Sequence, residues 1–124
     1  PAGPYRLQAA IAAIHAGAPR PEDTDWAAIA GLYGRLAAIA PSPVVDLNRA
    51  VAVAMADGPA AGLRLIDELK PQLATYHLFH SARADLLRRL DRPVEAADAY
   101  RRALELVSNP RERAFLEGRL ASVS

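Results

Sequence analysis

His77 and His80 stand three residues apart in a segment of helical pattern, a spacing that puts both imidazoles on one side of a helix and could hold zinc. Zinc needs further ligands, and the nearest acid in register is Asp85, five residues past His80. The plainer reading is a pair that sits partly exposed on the first helix of a repeat. His15, alone near the end of the first helical segment, reads as a packing residue at a terminus whose dipole favours a protonated ring. Asn48 and Arg49 interrupt an otherwise apolar stretch. A buried Arg is costly without a partner, so Arg49 should meet a carboxylate or helix-end carbonyls. Arg83 takes the equivalent place 34 residues later, beside Asp85. Two readings stay open: a clamp pinning one hairpin on the next, or a groove gripping a partner's carboxylate by forked hydrogen bonds. Tyr5 and Gln8 divide the same way, with packing favoured.

No catalytic constellation emerges. Asp67-Glu68 and Glu22-Asp23 are sequence neighbours and point to different sides, which does not suit an acid–base pair. The five serines show no nucleophile elbow, and no glycine loop fits a phosphate. No catalytic residue and no cofactor are expected. Arg88, Arg89, Arg92, Arg101 and Arg102 alternate with Asp85, Asp91, Glu95, Asp98 and Glu105, so pairing along helices is expected rather than direct DNA binding.

The elements that must position these residues follow from composition. The 124 residues suit one domain with a real core. Ala, the best helix former, occurs 28 times, and only seven residues are aromatic, so the core should be aliphatic and closely packed. Net charge is +1 and not clustered, unlike a nucleic-acid surface. Cysteine is absent, which excludes disulfide and thiol chemistry. No membrane-length apolar run and no signal-peptide pattern is present, so a cytoplasmic protein is expected. The first residue is Pro rather than Met, which reads as a fragment of something longer.

Pro and Gly punctuate seven expected helices. The first runs from Pro4 to about Ala16. Asp23 or Thr24 should cap the second, and Ser42, followed by Pro43, the third, which is apolar nearly all round and should be the most buried. Asp57-Gly58-Pro59 turns into the fourth, which Pro71 stops. Thr75 should cap the fifth, Asp91-Arg92-Pro93 opens the sixth, and Asn109 with Glu112 forms a capping box for the polar seventh. No strand pattern appears.

Two of these stretches superimpose at an offset of 34 residues. Arg49/Arg83, Ala50/Ala84, Asp57/Asp91 and Pro59/Pro93 are identical, while Val53/Leu87, Ala56/Leu90, Gly62/Ala96 and Ile66/Tyr100 keep size class. Thirty-four is the length of a tetratricopeptide hairpin, a unit that recurs where units stack. The expected fold is therefore all-α, a right-handed superhelical array of antiparallel hairpins. Residues 1–40 form a diverged pair, 42–73 and 75–108 are repeats, and 109–124 is a capping helix. Such arrays present a concave surface to a partner.

Three strings add a resemblance: the segment from Gly3 to Ala13, Leu47-Asn48-Arg49-Ala50-Val51-Ala52, and Arg113-Ala114-Phe115-Leu116. Together they resemble the C-terminal tetratricopeptide-like extension of those extracytoplasmic-function sigma factors that are associated with DGPF-type proteins. The resemblance covers essentially the whole chain, with Arg6 and Gly118 as departures. It implies a parent that directs RNA polymerase to promoters, and an extension that regulates the sigma domains. The fragment lacks the sigma-2 and sigma-4 domains. The partners so implied are those sigma domains, RNA polymerase, or a separate signalling protein, and a homodimer is a further option. The alternative is a helical sensor of a small ligand that controls a partner.

Overall fold

A computed structural model describes residues 3–124 of the chain. Its ordered elements are α1 (Pro4–Gly17), α2 (Trp26–Ile39), α3 (Pro43–Asp57), α4 (Pro59–Glu68), α5 (Lys70–Leu73), α6 (His77–Arg89), α7 (Pro93–Leu106) and α8 (Pro110–Val123), with one 3-10 turn over Pro21–Asp23. Among the described residues there is no strand, and the fold is all-α. No described helix is long and apolar enough to cross a membrane.

Proline opens α1, α3, α4, α7 and α8, where a missing amide hydrogen costs nothing because first-turn amides have no helical partner. Ser42 Oγ accepts from the Val44 amide at 3.2 Å, as expected. Asn109 Oδ1 accepts from the amides of Arg111 and Glu112 at 2.8 and 3.2 Å. Two expected caps fall elsewhere. Asp25, not Asp23 or Thr24, caps α2 by accepting from Ala28, because the preceding turn uses up Pro21–Asp23. Thr75 lies one residue too early: α6 starts after Tyr76, which offers no side-chain cap.

An eighth helix arises at Pro71. Proline in the interior of α4 would clash with the carbonyl four residues back, so the helix stops at Glu68. A new short turn, α5, then takes Pro71 into its own first turn.

Two compact units result, Pro1–Gly62 and Leu63–Ser124. In the first, α2 packs against both α1 and α3. Its core gathers Ile11, Ile29 and Ala52, flanked by Ile14, Trp26 and Tyr33. In the second, α7 packs against both α6 and α8. Phe79, Ala84, Leu87, Ala96, Tyr100, Ala103 and Leu116 are buried there.

The expectation that residues 43–57 form the most buried helix is corrected. α3 exposes Val44, Asn48, Arg49 and Met55, whereas α7 buries Ala96, Ala97, Ala99, Tyr100 and Ala103. The two helices carry four alanines each, but α7 is covered by both α6 and α8, which seal its Tyr100 completely.

Two positions need unusual backbone. Gly58, at the end of α3, has φ +106° and ψ 157°, a region essentially confined to glycine. Asp91, after α6, has φ +57°. There the Arg92 amide bonds to Leu87 O and the Asp91 amide to Arg88 O, both at 3.0 Å, the double closure of a Schellman motif.

Candidate functional site

In the second unit α6 and α8 border a groove of about 310 Å³. Its apolar lining comes from Leu78, Phe115 and Leu116, and its polar lining from His77, Ser81, Asp85, Arg111 and Glu112. Leu78 and Phe115 are 42% and 55% exposed, so two large apolar side chains face solvent in one concavity. The elements explain this placement. Position 79 of α6 and position 116 of α8 turn inward as Phe79 and Leu116, which leaves Leu78 and Phe115, one residue earlier and about 100° around each helix, at the margin.

Glu112 departs from the expected capping box. Its amide is held by Asn109, but its carboxylate turns to His77, with Oε2 lying 2.7 Å from Nε2. Despite that approach, this buried nitrogen has no formed hydrogen bond. The attraction is fully electrostatic only with the ring protonated. Arg119 stacks on Phe115, its guanidinium carbon 5.0 Å from the ring centroid, and stiffens the groove margin.

His80 does not share a face with His77 in any useful sense. It is only 8% exposed, its Nε2 donates to Ala74 O at 2.7 Å, and it meets Phe79 edge-on. Burial lowers its pKa and keeps it neutral, against the opposite pull of the Ala74 bond. The partly exposed pair expected at 77 and 80 holds for His77, whose side chain is 25% exposed beside Glu112, and is corrected for His80, which is sealed inward. No group of three or more metal-ligating side chains gathers among the described residues.

Asp85 lines the groove but is not the partner of Arg83. It accepts from the Tyr100 hydroxyl, while Arg88 donates to the same hydroxyl at 3.3 Å and lies 4.0 Å from Asp85. This network ties α6 to α7. Burial first, and then the Asp85 contact, push the Tyr100 hydroxyl up to about 12. Arg83 instead donates to Asp67 Oδ1 at 2.8 Å, so it joins α6 to the end of α4.

Arg49 was expected to be buried with an anionic or carbonyl partner. It is exposed, and among the described residues no carboxylate pairs with it. Its Nε lies over Gly34 of α2, 3.6 Å from where a Cβ would stand. The position 34 residues before Asp67 is Tyr33, which explains why this arginine finds no counter-ion where Arg83 does. Asn48 is exposed beside it.

The packing expected of Tyr5 and Gln8 is corrected as well: Tyr5 is 86% exposed and Gln8 is exposed. α1 seats itself through Leu7 and Ile11, and a residue two positions from Leu7 points about 200° away. His15 is exposed and meets Trp26 edge-on at 5.2 Å. A role that the sequence did not disclose belongs to Arg113, which donates to Leu104 O and Val107 O and caps the end of α7 from α8.

No family model matches the sequence. An uncharacterized protein of Rhizobium meliloti (strain 1021) is 48% identical over 118 residues, which cover 95% of this chain and 28% of that relative. The chain thus spans little more than a quarter of the length of the curated relative it matches.

Proposed function

We propose that this chain is a tetratricopeptide-like regulatory domain whose groove between α6 and α8 docks a partner segment. We further propose that its parent is an extracytoplasmic-function sigma factor that works with RNA polymerase in the cytoplasm. The observation that supports the repeat reading best is the equivalence of close-packing positions. Ala50 and Ala84 are fully buried, and so is Ala96. At the position equivalent to Ala96, Gly62 comes so near α3 that an added Cβ would stand 2.8 Å from Ala50 O. Small residues recurring at these two places, 34 apart, let each pair of helices cross closely.

Docking is supported by the character of the groove. Exposed Leu78 and Phe115 are flanked by Asp85, Glu112 and Arg111, an apolar centre with a charged rim. A helical segment with one large apolar anchor fits that pattern. The sigma-factor reading rests on the three sequence strings. Of these, Arg113-Ala114-Phe115-Leu116 supplies an α7 cap, a groove residue and a core residue in succession.

The test is transcription in vitro with the full-length parent, RNA polymerase and a cognate promoter. Phe115→Asp and Leu78→Asp are expected to leave the circular-dichroism spectrum and melting unchanged and to alter transcript yield at least fivefold. Unchanged yield from folded variants would remove the groove from the mechanism.

A further inference from the structure

A second cleft, of about 180 Å³, opens on the other side of α6 within the same unit. Its floor is made of buried residues, Phe79, His80 and Ala99. Its walls bring cations from three elements, Lys70 of α5, Arg83 of α6 and Arg102 of α7, against one carboxylate, Asp98. Asp98 is already held by Arg101 at 3.0 Å. The counter-ions of the other two cations, Asp67 on Arg83 and Glu105 on Arg102, are 50% and 63% exposed. Exposed pairs of that kind are worth about 0–1 kcal/mol, so either arginine is easily re-partnered. Lys70 makes no ion pair among the described residues.

We propose that this cleft is a binding site for a small oxyanion, a phosphoryl or carboxylate group, held by Lys70, Arg83 and Arg102. The volume exceeds that of several waters at about 30 Å³ each, enough for a tetrahedral anion. Arginine forks give such an anion paired, charge-assisted bonds, and a buried floor strengthens them relative to open solvent. His80 lies in the same field: burial chiefly lowers its pKa, the Ala74 bond opposes that, and Arg102, Arg83 and Lys70 add smaller pushes downward. The ring therefore stays uncharged and leaves the cations to the ligand. An anion bridging α5, α6 and α7 would stiffen the unit. Nothing in this site overlaps the groove on α8, so its failure and that of the docking reading are separate results.

The experiment follows the ring protons of His80 by NMR in the 124-residue chain while inorganic phosphate, and in a second series acetate, is added at ionic strength held constant with chloride. Saturable shifts with a dissociation constant on the order of 1–10 mM are expected, with His15, in the other unit, unmoved. Saturation by phosphate alone assigns a phosphoryl ligand, by acetate alone a carboxylate, and by both a general oxyanion site. Lys70→Glu, at an exposed position, should retain the fold and weaken binding at least tenfold. Shifts that never saturate in either series, or equal affinity in Lys70→Glu, would overturn the proposal.

Discussion

Hairpin α3–α4 and hairpin α6–α7 share four identities at one offset, yet they close by different means. The first closes with backbone. Gly62 comes so near α3 that an added Cβ would meet Ala54 and the Ala50 carbonyl, and Gly58 makes a turn in a backbone region essentially confined to glycine. The second closes with side chains: Tyr100, Asp85 and Arg88 join the two helices, and Asp91 completes the turn in a strained but permitted conformation. The residues equivalent to that trio are Ile66, Val51 and Ala54, all aliphatic. Where Gly62 approaches Ala54 and the Ala50 carbonyl, no side chain fits between them. Where Ala96 takes that place, the fully buried Tyr100 needs a partner for its hydroxyl and finds Asp85.

Substitutions can break this contrast. The largest effect is expected at Gly62. In Gly62→Val the branched side chain meets Ala54 and the Ala50 carbonyl, and overpacking should cost about 3 kcal/mol in urea unfolding, against roughly 1 kcal/mol for Ala96→Gly. Equal costs would mean that the two crossings are alike. Next comes Tyr100→Phe, which strips the hydroxyl from Asp85 and Arg88 and should cost about 1–2 kcal/mol.

That hydroxyl also sets an alkaline limit. Its folded value of about 12 lies above the ordinary 10, so its contribution is complete below the lower value and is lost as pH rises through the upper one. Melting temperature measured across that range should fall in the parent chain and fall less in Tyr100→Phe.

The two turns sharpen the contrast with opposite signs. Gly58→Ala should destabilise by about 1–3 kcal/mol, since its backbone is closed to side chains. Asp91→Gly should stabilise by about 0.5–1 kcal/mol by relieving a left-handed residue. The smallest effects concern the equivalent arginines. Arg83→Ala should cost under about 1 kcal/mol, and less at high salt, because its pair with Asp67 is half-exposed. Arg49→Ala should be silent within about 0.5 kcal/mol. A larger loss at Arg49 would restore the clamp at that position.

Local features were legible in the sequence. Proline starts, the Ser42 and Asn109 caps and the small residues at 50, 62, 84 and 96 depend on neighbours within a turn or on a fixed period. What depended on distant residues was not. Asp67 reaches Arg83 across 16 positions, and Tyr33 replaces that acid one period earlier. The partial exposure expected of His80 fails because periodicity alone does not show that Ala74 O accepts from its ring. The groove of α6 and α8 joins residues 26 or more positions apart, and although the sequence singled out His77, Asp85, Glu112, Phe115 and Leu116, nothing local showed that they share a concavity. Glu112 was assigned to a cap because its spacing from Asn109 fits one, and only the packing of α8 beside α6 gave its carboxylate another neighbour.

The most direct measurement of the docking claim is a calorimetric titration of the 124-residue chain with purified sigma-2 and sigma-4 domains of the proposed sigma-factor parent, repeated with Phe115→Asp. The account predicts micromolar binding by the unaltered chain and at least a tenfold loss in the folded variant. Equal affinities, or no heat of binding with either portion, would contradict it.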